Sequence, residues 1–220
     1  MALFTTTYLP RKSTDLIGQE KALAELKDFI LNYKKKDRRA ALLHGPVGVG
    51  KTSAVHALAN ELGYDLLELN SSDLRNQEQM KSFLGAALGQ QSLFFQPKII
   101  LVDEVDALSG TYDRGGSSAL VSALEKSTFP VILTANDPYD QKFKALRNTC
   151  QMIAFEKIDH RSLGSLLKLV CEQEKIPFEE KALNSLARQA DGDVRSALID
   201  LQICAVGGSC TFERVQSLSD

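Results

Sequence analysis

Apolar residues fall into two kinds of pattern along the chain. Short blocks dominate the first two thirds: Ala40-Ala41-Leu42-Leu43, Asp65–Leu69 with its central leucines, Ile99-Ile100-Leu101-Val102, Val131-Ile132-Leu133-Thr134 and Met152–Phe155. Ala40–Leu43, Ile99–Val102 and Val131–Thr134 are short and almost wholly apolar and predict buried parallel strands, while Asp65–Leu69 and Met152–Phe155 read simply as strands. Between them, apolar residues recur at helical spacing. Gly18–Leu31 places Leu23, Leu26, Phe29 and Ile30 on one face and Glu20, Lys21, Glu25 and Lys27 outside it. Thr52–Leu62, residues 76–88 and Gly115 to about Lys126 read as helices in the same way. Strands alternating with helices predict an α/β fold with a parallel five-stranded sheet, whose ligands sit at the C-terminal strand ends.

From Asp159 the pattern changes to helices alone. Three are predicted, at about 160–174, 179–190 and 193–205, with Pro177 between the first two and Asp191-Gly192-Asp193 capping the third. The domains expected are therefore 1–157, an α/β domain, and 158–220, a small helical one, joined by a hinge near Glu156–Ile158. Residues 1–17 read as irregular, and the last dozen, after Gly207-Gly208, as weakly structured.

Composition narrows the class only a little. At 220 residues, 44% hydrophobic and 25% charged, the chain has the make-up of a water-soluble globular protein. Its net charge of −2 means that any nucleic-acid contact must come from a local patch. The basic run Lys34–Arg39 reads either as such a patch or as a solvated loop near a helix C-terminus, where cations are favourable anyway. No apolar run approaches the ~18 residues of a membrane span. Met1–Pro10 lacks the features of a signal peptide. Cys150, Cys171, Cys204 and Cys210 have no metal-ligand spacing and read as reduced thiols of a cytosolic or nuclear protein.

The chemistry is carried by Gly45-Pro46-Val47-Gly48-Val49-Gly50-Lys51-Thr52, which fits the phosphate-binding loop G-x-x-x-x-G-K-[ST] between a strand and a helix. Its glycines let backbone N–H groups point inward at phosphate oxygens, and the helix N-terminus adds about half a positive charge. Lys51 would reach the β- and γ-phosphates, and the Thr52 hydroxyl would hold Mg²⁺. Asp103 and Glu104 end the third strand; Asp103 suits the metal and Glu104 the attacking water. Asp106 reads equally as a solvent-exposed acid or a supporting one. Asn136 ends the fourth strand, where it can meet the γ-phosphate or cap the turn at Asp137-Pro138. Arg195 opens a helix of the second domain, where it can reach the γ-phosphate or pair with Asp191 or Asp193.

Together these residues resemble an AAA+ ATPase of the clamp-loader type, and the archaeal large subunit of replication factor C in particular. The resemblance rests on Gly45–Thr52 (Walker A), Ile99–Glu104 (Walker B), Asn136 (sensor 1) and Gly192-Asp193-Val194-Arg195 (sensor 2). Leu69–Asn76, Asp103–Asp106 with Asp113-Arg114-Gly115-Gly116, and Leu133–Pro138 with Leu146–Cys150 narrow it further. It implies that ATP or ADP is held with Mg²⁺ by Gly45 to Thr52 and Ser53, with Asn136 and Arg195 at the γ-phosphate. The adenine side would be formed by Tyr8, Pro10, Ile17 and Gly18, although the family's basic N-terminal pattern appears here as Thr7-Tyr8-Leu9-Pro10.

The same resemblance implies partners: small subunits in a hetero-oligomeric ring, a sliding clamp of the PCNA type, and primer-template DNA. DNA contacts would fall to Arg114, Gly115 and Gly116, with Arg75 and Lys81, and clamp contacts to Leu93, Phe94 and Phe95. The setting would be cytoplasmic in an archaeon, nuclear in a eukaryote. Where small subunits carry the arginine finger given to a neighbour's ATP, this chain has Thr149, and Arg147 is two residues away. It would therefore receive a finger and donate none. The family's collar domain would begin near where the chain stops, so a fragment of such a subunit is expected. Two other readings stay open: another AAA+ ATPase, such as a checkpoint loader or branch-migration motor, or an ATP-dependent scaffold that hydrolyses nothing.

Overall fold

A computed structural model describes residues 2–35, 37–38, 40–70, 97–106, 116–125 and 127–218. The strands are β1 Ala40–His44, β2 Asp65–Asn70, β3 Lys98–Asp103, β4 Val131–Ala135 and β5 Cys150–Ala154. The helices are α1 Phe4–Thr7, α2 Glu20–Asn32, α3 Lys51–Leu62, α4 Gly116–Glu125, α5 Lys144–Thr149, α6 His160–Glu174, α7 Glu180–Gln189, α8 Val194–Val206 and α9 Phe212–Ser217. All strand pairings are parallel, in the order β2-β3-β4-β1-β5. Successive side chains of a strand point to opposite faces, so each apolar block feeds two layers. Ala41, Leu43, Ile99, Leu101, Ile132 and Ile153 pack with Leu26, Phe29 and Ile30 of α2 and Val55 and Leu58 of α3. Leu42, Ile100, Val102 and Leu133 pack on the other face with Leu120 and Leu124 of α4 and Leu146 of α5.

α6 to α9 enclose a separate core built on Leu163, Leu167, Leu183, Leu186, Leu198 and Leu201. Asp159 caps α6 by accepting from the N–H groups of Arg161 and Ser162. Asp193 does the same for α8 through Ser196.

The structure corrects three expectations at the edges of elements. β5 begins at Cys150, two residues before Met152, because Cys150 and Gln151 pair with Ala40 and Ala41. The N-terminal stretch is not irregular throughout: α1 places Phe4 in the core of the helical domain at 1% exposure, and a short 3₁₀ turn spans Ser13–Asp15. The Phe4 N–H donates to Gln202 Oε1 at 2.9 Å, and Gln202 Nε2 donates to the Ala2 carbonyl at 2.9 Å. The C-terminal stretch forms α9, anchored by fully buried Val215 and Cys210. The helix expected at 76–88 lies outside the described residues. Among the described residues no helix is long and apolar enough to cross a membrane.

Candidate functional site

The sheet order sets β4 between β1 and β3. Three chemically distinct strand ends, distant in sequence, are thereby adjacent: the loop after β1, Asn136 after β4, and Asp103-Glu104 at the end of β3. The loop bends through left-handed φ values of +147° at Gly45, +70° at Gly48 and +96° at Gly50. At Gly45 a side chain is also barred by space, since a Cβ would sit 2.0 Å from the Phe155 carbonyl oxygen. Gly50 is the N-cap of α3, so the helix N-terminus opens directly into the loop.

Lys51 is the first residue of α3 and turns back over the loop. Its Nζ donates to the carbonyls of Gly45 at 2.8 Å and Pro46 at 2.7 Å, and to Asn136 Oδ1 at 2.9 Å. Burial pushes its pKa down; the nearby carboxylates of Asp106 and Asp103 oppose that, Arg195 adds to it, and Glu104 opposes it. A cation buried to 9% exposure and held by neutral acceptors is suited to an anionic ligand.

The acidic side is built around one oxygen. The Thr52 hydroxyl donates to Asp103 Oδ1 at 2.9 Å, and the Thr134 hydroxyl donates to the same atom. The Glu104 N–H donates to Thr134 Oγ1 at 2.9 Å. Glu104 has a φ of +55°, a conformation that non-glycine residues rarely adopt. Thr52 and Asp103 thus bring two hard oxygen ligands together beside the phosphate loop, a donor set that fits Mg²⁺ completed by phosphate and water. Asp106, open in the sequence reading, accepts from the Asn136 N–H at 2.9 Å and so fixes the residue that touches Lys51.

The opposite wall comes from the helical domain. Val194 N–H donates to the Gly48 carbonyl at 3.1 Å. A Cβ on Gly48 would lie 1.8 Å from Asp193 Oδ1, so the lid sits directly on the loop. Val194, Arg195 and Leu198 line the cleft from this side. The alternative ion pair of Arg195 is not formed: Asp193 caps α8, and Asp191 pairs with Lys157 at 2.5 Å.

Tyr8, Pro10 and Ile17 line the open side together with Val47, Gly48, Val49, Gly50 and Ser53. The Tyr8 hydroxyl donates to Glu174 Oε1 at 2.9 Å; burial first and this bond second push its pKa up to about 12. Gly18 does not line the cleft; its φ of +66° sets it against Ile158, where a Cβ would be 3.3 Å away. Gly45 and Pro46 do not line it either and contribute the carbonyls that hold Lys51.

The resemblance sets Gln19 behind the adenine side, with Ile17 and Gly18; its hold on the phosphate loop appears only in the structure. Gln19 is 3% exposed, and its Nε2 donates to the carbonyls of Glu156 at 2.7 Å and Val49 at 3.4 Å, tying the loop to the hinge. One polar residue ahead of an apolar helix face carries no pattern that distinguishes it from a solvated cap. Thr134 carries no sequence signal beyond its place in an apolar strand, where threonine is ordinary.

Thr149 precedes the N-terminal end of β5, on the side of the sheet away from the cleft, and bonds the Ala145 carbonyl at 3.0 Å. Arg147 is committed internally: it donates to the Pro138 and Asp140 carbonyls and stands 5.9 Å over the Tyr139 ring. Arg75, Lys81, Leu93, Phe94, Phe95, Arg114 and Gly115 lie outside the described residues, and Gly116 is the first residue of α4.

Residues 41–157 match the model of the ATPase family associated with various cellular activities (AAA), and residues 165–206 match the RCF1/5-like AAA+ ATPase lid domain. The chain is 43% identical over 215 residues to the replication factor C large subunit of Staphylothermus marinus, covering 96% of this chain and 51% of that protein. It is likewise 43% identical over 214 residues to the Nanoarchaeum equitans large subunit, covering 97% and 50%. The chain therefore spans about half the length of the curated relatives it matches. The Thermotoga maritima RuvB Holliday junction branch migration motor superposes with a TM-score of 0.72 over 96% of this chain and 71% of its own. At 18% identity, that likeness bears on the fold alone. From the phosphate loop to the hinge, the chain belongs to the AAA family of ATPases.

Proposed function

We propose that this chain is the ATP-binding and ATP-hydrolysing part of a clamp-loader large subunit of the replication factor C type. The observation that carries the catalytic half is the convergence of Lys51, Thr52, Asp103, Glu104 and Asn136 at three neighbouring strand ends. The similarity to archaeal large subunits over nearly the whole chain supports the loader assignment.

In this reading the loop amides and Lys51 bind the β- and γ-phosphates, and Lys51 exchanges its carbonyl partners for phosphate oxygens. Thr52 and Asp103 hold Mg²⁺, which when bound neutralises charge on the phosphate oxygens. Glu104 orients the attacking water and draws its proton. Asn136, set by Asp106, steadies the γ-phosphate side. Arg195 approaches the γ-phosphate from the lid, so that the presence of that phosphate biases lid closure. Adenine lies against Tyr8, Pro10 and Ile17.

An arginine finger from a neighbouring subunit completes the site, and such a group adds on the order of 10³–10⁵ in rate. Binding of ATP organises the ring with its small subunits, sliding clamp and primed DNA; hydrolysis releases the clamp. The DNA contacts are assigned to Arg114, Gly115 and Gly116, with Arg75 and Lys81, and the clamp contacts to Leu93, Phe94 and Phe95.

Glu104→Gln tests the hydrolytic half. Nucleotide binding should survive while turnover at this chain's site, read in a loader whose other subunits carry inactivated phosphate loops, falls by about 10²-fold or more. A Glu104→Gln loader that loads and releases clamp at the parent rate would instead assign the chain to a scaffold. Arg114→Glu should weaken primer-template binding with unchanged ATP affinity; unaltered DNA binding removes that assignment.

A further inference from the structure

We propose that Thr134 is a positioning residue for both acidic groups of the site: its single hydroxyl holds the Asp103 carboxylate and the Glu104 backbone in register. The inference rests on the reading of Asp103 as a metal ligand and Glu104 as the water-orienting base.

The β3–β4 ladder pairs Ile100 with Val131, Leu101 with Ile132 and Val102 with Leu133. One step further, the backbones stop pairing and the Thr134 side chain takes over. Its O–H donates to Asp103 Oδ1, and its oxygen accepts the Glu104 N–H at 2.9 Å. A hydroxyl offers one donor and two acceptor positions, so it can serve an anion on one side and an amide on the other at once.

Thr134 is 2% exposed, so these bonds form where water does not compete for them. The second bond falls at the residue whose φ is +55°, where the backbone needs an external hold. Thr52 also donates to Asp103 Oδ1, at 2.9 Å, but it belongs to the phosphate loop and its oxygen has a second task there as a metal ligand. Thr134 lies on β4 behind the carboxylate and keeps its hold. It therefore presets the Asp103 oxygen for Mg²⁺ and fixes the direction in which Glu104 leaves the strand.

Three variants isolate the hydroxyl, and a fourth serves as reference. Thr134→Val keeps the shape and the β-branch but removes the O–H; Thr134→Ser keeps the O–H. Thr134→Ser and Thr134→Ala both lose the methyl and differ only in the oxygen, so this pair serves if the valine variant does not fold. Asp103→Asn is the reference for the underlying reading. The readout is the Mg²⁺ dependence of binding of a fluorescent ATP analogue, with an EDTA control and a melting curve for each protein.

Thr134→Val and Thr134→Ala should bind the analogue in EDTA as the parent does and need about 10–100-fold more Mg²⁺ for half-maximal effect, with Thr134→Ser near the parent. Hydroxyl-less variants with the parent's Mg²⁺ requirement, beside an impaired Asp103→Asn, would overturn the inference. So would an equal loss of affinity in EDTA, because that describes a fold defect. An Asp103→Asn protein with unaltered Mg²⁺ dependence would overturn the metal reading itself.

Discussion

Gly48 has a backbone requirement beyond the flexibility of its loop. Its φ is +70°, and a methyl there would intrude 1.8 Å from the Asp193 carboxylate while its carbonyl receives the Val194 N–H. The left-handed conformation alone costs a non-glycine residue about 1–2 kcal/mol. Gly48→Ala should therefore lower stability by at least about 1 kcal/mol and, by moving the lid off the loop, weaken ATP binding. Isothermal titration beside a denaturation curve checks both; a variant with the parent's affinity would mean that lid contact and nucleotide binding are independent. The phosphate loop was legible at this scale because its spacing is a chemical requirement. The partners of Thr134, Gln19 and Asp106 were not, and Asp106 stayed open between two roles, since a supporting residue is defined by what lies across from it and not by its neighbours in sequence.

Among the elements, α8 joins the lid to the chemistry, because its first turn carries both the cap and Arg195. Asp193→Ala removes the bond to the Ser196 N–H at 2.9 Å and should cost about 1 kcal/mol, seen as a lower denaturation midpoint at neutral pH. It should also loosen the seat on Gly48, so ATP affinity falls while the α/β domain keeps its fold.

α3 is tied to α2 on its outer face. Glu61 accepts from Lys27 at 2.7 Å and from Ser13, and these bonds hold its pKa down at about 2 against an ordinary 4.5. A carboxylate with a depressed folded pKa contributes stability that is present above about pH 4.5 and lost as pH falls towards 2. The pair is largely solvent-exposed, so the contribution is under about 1 kcal/mol and screened by salt. Glu61→Gln should thus narrow the stability gap between pH 5 and pH 3, and high salt should narrow it in the parent.

Helix and strand positions were legible wherever the period was clean, as in α6, α7 and α8. α1 and α9 were not: each is too short to establish a helical period, and each is ordered by burying one side chain, Phe4 or Val215, in a core made by other elements.

Beyond single elements, the switch at Asp159 from alternating strands and helices to helices alone could be read from the pattern, and the phosphate-binding loop from one motif. The sheet order could not be read, because the sequence does not say that β4 lies between β1 and β3. That order is what brings Asn136 to Lys51 and Thr134 to Asp103. Nor could the return of α1 to the core of the helical domain, which brings Thr5 and Tyr8 into the lining of the cleft.

Arg147 bears on assembly. With its guanidinium held by two carbonyls and Tyr139, it steadies the turn after Asn136 and does not reach outward. Arg147→Ala should therefore impair this chain's own ATP turnover and leave turnover at sites on other subunits unchanged; assays in which only one subunit type retains an active phosphate loop separate the two.

Under the proposed function, the nucleotide site of this chain is completed in trans. ATP hydrolysis is measured for the chain alone, and then with sliding clamp, primed DNA and small subunits whose own phosphate loops are inactivated. A slow basal rate that rises by orders of magnitude only in the full assembly, and falls again with Glu104→Gln, is the predicted result. Rapid turnover by the isolated chain, or no ATP binding under any condition, would contradict it.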